Sequence, residues 1–372
     1  MQPRRTDIAL FLPSLAGGGA ERVFVDLAGF FAIQGLNVDL VLPQCDGAWL
    51  QFVPKTVRLV DLRKTKPSQA IPSLIRYLRS TQPRAIMSAM THANIALAIA
   101  HHLSGVNCRC VLSEHADITL ALPKEKEGFD LWLTNTLGRW VYPWADTIVA
   151  VSNGVGESVV KVFKLPENQV KVIYNPIDQE RILALGRETV QFPWRDELPV
   201  VISVGRLHKQ KSFDDLLRAF AVLRVSRPSH LVILGEGEER DYLVKLATNL
   251  GITEAVWMPG FVANPFAYVA KTNLFVLSSH WEGLGNVLIE ALVLNIPVIS
   301  TRCPSGPEEI LENGRYGRLV PVGDVTALAS AMEKSLSGDH PQFDRMAALE
   351  RFRPDLVVAQ YFQILNMQSK LR

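Results

Sequence analysis

Short apolar, β-branched runs alternate with segments of helical spacing along the whole chain, and this alternation restricts the fold more than any other feature. Strands joined by helices pair side by side in parallel, and a parallel sheet needs helices on both faces to keep its apolar strands from water. In the first half the runs are Asp7–Leu12, Asn37–Leu42, Val57–Val60, Ala85–Ala89, Arg109–Ser113, Thr147–Val151 and Val170–Ile173. VIYNPID then breaks the rhythm and QFPWRDELP adds prolines and charges, which marks an interdomain connection near residues 175–197. The series restarts with VVISVGRL, HLVILGEG, AVWMPGF, LFVLSS, IPVIST and RLVP. A chain of 372 residues exceeds what one hydrophobic core usually serves. The expectation is an α/β protein of two doubly wound, Rossmann-like domains, over residues 1–180 and 190–353, with a last helix within 354–372 that packs back onto the first. Ligands of such sheets sit at the carboxyl ends of the strands, so the cleft between the two domains is the expected site.

Composition narrows the class. Apolar residues make up 48% and charged residues 20%, which excludes a fibre or a disordered tail. The net charge is only +2, yet between Pro54 and Arg84 eight basic residues (Lys55, Arg58, Arg63, Lys64, Lys66, Arg76, Arg79, Arg84) face one acid, Asp61. That segment is either a solvated face or a surface for anionic lipid headgroups or a phosphorylated acceptor. It carries no aromatic interleaving or reader motif, so nucleic acid is not an expected partner. The tryptophans of FDLWLTNTLGRWVYPW (Trp132, Trp140, Trp144) belong either to a core or to a face resting in a bilayer interface. Cys45, Cys108, Cys110 and Cys303 are too few and too scattered for a disulfide framework or a zinc site, as expected for reduced thiols in a cytoplasmic protein, at most peripheral at the inner face of the membrane. Asp7 and Pro13 leave the first apolar run too short for a signal-peptide core, and no run of eighteen apolar residues exists to span a membrane.

Three clusters carry chemistry. SLAGGGAERV follows the first strand and opens a helix, and its glycines let backbone N–H groups approach an anion, although the spacing is not that of a dinucleotide fingerprint. In SVGRLHKQKSF, Arg206 follows a strand end and Lys211 stands five residues on, two cations placed to suit a diphosphate. In HWEGLGNVLIEAL, Glu282 precedes a loop of Gly283, Leu284, Gly285 and Asn286 that leads into a helix expected over 287–294. First-turn amides of that helix would face an anion, and Glu290, further along it, can accept hydrogen bonds from the vicinal hydroxyls of a ribose.

EGLGNVLIE resembles the E-x7-E motif of the retaining glycosyltransferases of family 4, which have the GT-B fold, and GRLHKQKSFDDLLRAF, LVILGEGEER, VWMPGFVANPFAYV and PSGPEEILENGRYG follow in that family's order. The resemblance covers nearly the whole chain and is most specific over 200–325. It implies that Arg206 and Lys211 bind the diphosphate of a nucleotide-sugar donor, Glu290 the ribose and Glu282 the hydroxyls of the transferred sugar. It also implies that Phe261 and Val262 sit at the base, that Gly17 and Gly18 close over the phosphates from the other domain, and that His115, in SEH, lies at the reacting centre. Ser305-Gly306 replaces the common Gly-Gly before the late glutamates Glu308 and Glu309, a variant similar to a branch that builds surface polysaccharides and lipid-linked glycans with UDP-sugars such as UDP-galactose or UDP-N-acetylhexosamines. The acceptor implied is a glycan or a polyprenyl-diphosphate-linked glycan.

No D-x-D occurs in the sequence, so no cofactor and no metal on the diphosphate are expected, and Arg206, Lys211 and helix N-termini would have to neutralise the leaving group. No obvious carboxylate nucleophile stands in the loops near His115, which disfavours a covalent glycosyl intermediate. The resemblance implies retention by front-face substitution. The competing expectations are a nucleotide-sugar epimerase, a phosphorylase, or a non-catalytic nucleotide-sugar-binding protein on the same fold.

Overall fold

A computed structural model describes residues 5–120 and 136–370. The chain divides into two compact units, residues 1–176 with 354–372 and residues 177–353. The first contains a seven-stranded sheet of β1 (Ile8–Phe11), β2 (Val38–Leu42), β3 (Arg58–Asp61), β4 (Ala85–Ala89), β5 (Arg109–Glu114), β6 (Thr147–Ala150) and β7 (Val170–Val172). All pairings are parallel, in the order β3-β2-β1-β4-β5-β6-β7. Strands β1, β2 and β4 are buried along their whole length, which is why they read as near-continuous apolar runs, broken only by Asp39 in β2 and Ser88 in β4, rather than as alternating ones. Helix Gly19–Ile33 and the C-terminal helix Pro354–Leu365 share one core with these strands, where Phe31 meets Tyr361 edge to face with ring centroids 6.0 Å apart. Lys370 continues the attachment: its N–H donates to Gln34 O at 3.0 Å and its Nζ to Asp7 at 2.6 Å.

The second unit repeats the plan with six parallel strands in the order β10-β9-β8-β11-β12-β13, namely β8 (Val200–Val204), β9 (His230–Leu234), β10 (Val256–Gly260), β11 (Leu274–Leu277), β12 (Val298–Thr301) and β13 (Arg318–Val320). In each sheet the order reverses between two central neighbours, β1/β4 in the first and β8/β11 in the second, and ligands of open α/β sheets bind outside such reversals.

The stretch read as an interdomain connection is more ordered than its prolines and charges suggest. Asp178 caps a helix, Gln179–Leu185, by accepting from Arg181 N at 3.0 Å. Further on, Phe192 packs against Trp257 and Tyr268, and Trp194 stacks on His230 at 3.9 Å while its indole N–H donates to Glu254 O at 2.9 Å. Aromatic anchoring fastens this segment to the edge of the second sheet.

In the basic segment 54–84, Arg58 pairs with Asp39, Arg79 donates to the carbonyls of Leu103 and Ser104, and Arg84 lies 3.8 Å from Asp7. These three arginines tie elements of the first unit together. Lys55, Arg63, Lys64, Lys66 and Arg76 are exposed. Trp140 (72% exposed) and Trp144 (43%) are not core residues, and Trp144 stacks on His102 at 4.4 Å; Trp132 lies outside the described residues. Among the described residues no helix is long and apolar enough to cross a membrane.

Candidate functional site

In the second unit β8 runs out into Gly205–Lys211 and its neighbour β11 into Ser278–Gly285, so the cation-bearing loop and the acid-bearing loop leave from the point of reversal side by side. The first loop lies flat on the turn after β9. A Cβ on Gly235 would stand 1.9 Å from Gly205 O, and one on Gly237 2.2 Å from Leu207 O, so only glycine permits the approach. Leu207 N–H donates to Glu236 O at 2.9 Å and Glu239 N–H to Leu207 O at 3.0 Å.

The two loops are stitched together. His280 N–H donates to Gln210 O (2.8 Å), Gln210 Nε2 to Trp281 O (2.9 Å) and Ser278 Oγ to Lys211 O (2.8 Å). Ser212, in the left-handed region at φ +46°, donates to Asp215 at 2.7 Å and meets His280 Nε2 at 2.9 Å. At the centre Lys211 Nζ lies 2.6 Å from Glu282 Oε1, an oxygen that also accepts from Ser279 Oγ at 2.5 Å. Both charges are sheltered, with side-chain exposures of 16% and 7%. Arg206 is exposed, and its side chain makes no hydrogen bond or ion pair among the described residues.

Gly285 (φ +93°) turns the chain into helix Asn286–Val293, one residue ahead of the expected start, with Glu290 buried in its second turn. The loop carrying Gly283 and Leu284 is pressed by PSGP: a Cβ on Gly306 (φ +89°) would stand 2.1 Å from Leu284 O. The second position of the family's Gly-Gly pair therefore must be glycine, whereas the first, Ser305, takes φ +64° as a serine. Phe261 is 65% exposed directly after β10, and Val262 is half-buried beside it. Two strand spacings, about 10 Å, separate β10 from β8, so an exposed aromatic ring and the cationic loop lie apart along one sheet edge as a base and its diphosphate do in a nucleotide.

In the first unit the glycine loop after β1 is organised by a residue that motif reading passed over. Glu21 is buried (3% exposed), and its carboxylate accepts from Gly17 N and Gly18 N at 2.8 Å each and from Ser14 Oγ. The N–H groups of Gly17 and Gly18 are thus already engaged within the loop. A Cβ on Gly17 or Gly19 would meet nothing within 4 Å, so the loop borders open space.

At the end of β5, Ser113 and His115 point to one face and Glu114 to the other, as alternation requires. His115 Nε2 lies 2.9 Å from Ser113 Oγ, and Phe24 packs edge-on to the imidazole at 5.7 Å. Burial pushes the His115 pKa down to about 4, which leaves the ring neutral at physiological pH. Glu114 accepts from Asn94 Nδ2 (2.8 Å), Thr91 Oγ1 (3.1 Å) and the Tyr142 hydroxyl. Desolvation outweighs those three donors and pushes Glu114 up to about 7. This network fastens Met90, held at φ +75°, and the start of helix Thr91–Ser104 to the end of β5. A glutamate next to a strand-end histidine was the only sequence signal for it.

The arrangement in the second unit can hold an anion next to a hydroxyl-rich group: one exposed guanidinium, one sheltered ammonium and one buried carboxylate converge where the sheet reverses. Among the described residues no group of three or more His, Cys, Asp or Glu side chains is placed to hold a metal ion.

Comparisons with known proteins give the family and the fold. Residues 17–181 match the model of Glycosyltransferase Family 4 and residues 187–349 that of Glycosyl transferases group 1. The chain is 30% identical over 342 residues to N-acetylgalactosamine-N,N'-diacetylbacillosaminyl-diphospho-undecaprenol 4-alpha-N-acetylgalactosaminyltransferase of Campylobacter jejuni, covering 89% of this chain and 90% of the relative. It is 24% identical over 347 residues to the lipopolysaccharide 1,6-galactosyltransferase of Escherichia coli K12, covering 89% of each. Among solved structures, the lipopolysaccharide outer core galactosyltransferase WaaB in its apo form superposes with a TM-score of 0.72 at 21% identity, covering 96% of this chain and 99% of that one. Anabaena HepE in complex with UDP superposes with a TM-score of 0.75 at 20% identity, covering 97% of this chain and 100% of that one. The chain belongs to the family 4 glycosyltransferases and has their GT-B fold of two Rossmann-like domains.

Proposed function

We propose that the enzyme transfers a hexose or N-acetylhexosamine from a UDP-sugar to a hydroxyl of a glycan or polyprenyl-diphosphate-linked glycan, with retention of configuration and without a metal. The observation that carries this reading is the convergence of Arg206, Lys211 and Glu282 on two stitched loops at the β8/β11 reversal. Arg206 and Lys211 bind the diphosphate, Glu290 the ribose, Phe261 and Val262 the base, and Glu282 the sugar hydroxyls, with Lys211 bridging Glu282 and the phosphate. The UDP bound by HepE supports the choice of nucleotide, and the names of the Campylobacter and Escherichia relatives support a lipid-linked or lipopolysaccharide glycan as acceptor.

In the reaction the bond from the anomeric carbon to the β-phosphate oxygen breaks, and a bond from that carbon to the acceptor oxygen forms on the same face. The acceptor proton passes to the departing phosphate oxygen, and UDP leaves as the cations stabilise its charge. The first domain takes the acceptor, with His115 neutral and half-buried at the end of β5, and the second takes the donor. The exposed Lys55, Arg63, Lys64, Lys66 and Arg76, with Trp140 and Trp144, support contact of the first domain with anionic lipid at the membrane that carries the acceptor. Flotation with anionic liposomes at low salt tests that contact, and absence of binding would refute it.

Incubation with UDP-, GDP- and ADP-sugars plus membrane lipid extract in EDTA, read as nucleotide release with and without acceptor, tests the whole reading. Acceptor-dependent release of UDP is expected. Sugar interconversion without release would favour an epimerase, and no turnover with any donor would favour a binding protein.

A further inference from the structure

We propose that His280 is a positioning residue for the donor loops: with a proton on Nε2 its ring clamps Ser212 while its backbone grips Gln210, and Lys211, between the two, is thereby held against Glu282. This rests on the reading that Lys211 takes the donor diphosphate, which the same set of variants tests separately.

His280 meets the cationic loop on both sides of Lys211. Its backbone N–H donates to Gln210 O at 2.8 Å, and its Nε2 lies 2.9 Å from Ser212 Oγ and 3.3 Å from Asp215 Oδ2. Lys211 is held by the same strand end, its carbonyl accepting from Ser278 Oγ at 2.8 Å, and its ammonium reaches Glu282, two residues beyond His280, at 2.6 Å. The ring therefore ties the backbone that carries the positive charge to the backbone that carries the negative one. Ser212 is the pivot: 1% exposed, it ends the turn Lys209–Lys211 and opens helix Phe213–Ser226 at φ +46°. A side chain in the left-handed region is strained where glycine would be at ease, but glycine lacks the hydroxyl on which the clamp closes.

Asp215 fixes the direction of each proton. A carboxylate accepts and does not donate, so at 2.7 Å the Ser212 hydroxyl gives its one proton to Asp215 Oδ2. Ser212 Oγ can then only accept from the ring, and Nε2 carries a proton that it shares with Asp215. With Nε2 bare, one proton would serve three contacts, and lone pairs would face each other at two of them. An imidazolium keeps the same Nε2–H, so the clamp does not depend on the charge of the ring. This serine, histidine and aspartate are not a nucleophilic triad: in a triad the ring takes the serine proton and the aspartate meets the other nitrogen, whereas here serine and aspartate meet the same one.

Glutamine places an amide nitrogen where the ring has Nε2, and asparagine reaches only as far as Nδ1, so these two substitutions separate the clamp from every other property of the ring. Calorimetric titration with UDP and acceptor-dependent UDP release are measured on the full chain. His280→Asn is expected to weaken UDP binding and to lower kcat about tenfold each, with KM for the acceptor within about twofold, and His280→Gln to recover most of both. Ser212→Gly relieves the left-handed strain, so its melting temperature should hold or rise while its UDP affinity falls as in His280→Asn, a split that a role in stability alone would not produce. In protein labelled with 15N-histidine, the signal lost in His280→Asn should show the proton on Nε2. Because the clamp acts through the ammonium, His280→Asn added to Lys211→Met/Glu282→Gln should weaken UDP binding no further. Wild-type UDP affinity in His280→Asn, equal losses in the asparagine and glutamine variants, a ring proton on Nδ1 alone, or a loss that persists without Lys211 would overturn the clamp. Wild-type UDP affinity in Lys211→Met/Glu282→Gln would overturn the reading of Lys211 as a phosphate ligand, and the clamp with it.

Discussion

Lys211 and Glu282 form a sheltered ion pair at the point where a diphosphate is proposed to bind, so removing the lysine should have two separable effects. At 2.6 Å and an effective dielectric constant near 20 the attraction between the two charges is about 6 kcal/mol, and desolvation of both ions offsets most of it. Deleting one partner is different, because Glu282 (5% exposed) then keeps only Ser279 and the other neighbours of its pocket. Lys211→Met is therefore expected to lower the stability of the second unit by about 3–5 kcal/mol. Adding Glu282→Gln removes the stranded charge while keeping an oxygen for Ser279, and should return the double variant to within about 2 kcal/mol of wild type. Binding of UDP should not recover: a sheltered charge-assisted hydrogen bond is worth about 1.5–3 kcal/mol, so both variants should bind UDP about 10- to 150-fold more weakly. Hydrogen exchange of peptides from residues 198–353 under increasing urea reads the first effect in the second unit alone, and calorimetric titration reads the second. A double variant as unstable as Lys211→Met would refute the ion-pair argument, and a double variant with wild-type UDP affinity would refute the role of the lysine as a phosphate ligand.

Gly306→Ala places a Cβ about 2 Å from Leu284 O at a positive φ, so it should displace the loop before helix Asn286–Val293 and abolish most UDP release; a fully active variant would contradict the close packing of PSGP on that loop. Phe261→Ala removes an exposed ring, so stability should stay within about 0.5 kcal/mol of wild type while UDP affinity falls about tenfold, and unaltered affinity in the titration would remove Phe261 from the base site. The folded pKa of Glu114 is raised to about 7, so its contribution to stability is complete below its ordinary value of 4.5 and lost as pH rises through 7, about 3 kcal/mol in all. In Glu114→Gln that part of the slope should vanish from urea denaturation of the first unit between pH 5 and 8.5. The same slope in both proteins would mean that Glu114 is not desolvated.

The strands were legible because both sheets are parallel and buried on two faces: IALF and LFVL each read as an apolar run that can be nothing but interior, and VDLVL and HLVIL each depart from that by one polar residue. The site loops were legible because glycine is forced wherever backbone meets backbone, as at Gly235, Gly237 and Gly306, and those positions punctuate the motifs. What stayed hidden depends on partners distant in sequence. Glu21 looks like an ordinary first-turn acid until its carboxylate is found on the amides of Gly17 and Gly18. Trp194 reads as linker until His230 is found beneath it. Helix ends shift by a residue because Gly285, not Asn286, makes the left-handed turn.

The central claim is that two cationic side chains and backbone amides grip a nucleotide diphosphate without a metal. Calorimetric titration of UDP into metal-stripped protein in EDTA, wild type against Arg206→Ala, tests it most directly. The account predicts saturable binding by the wild type in EDTA and binding at least about tenfold weaker in the variant. Binding that appears only when a divalent ion is restored, or that is indifferent to the loss of Arg206, would contradict it.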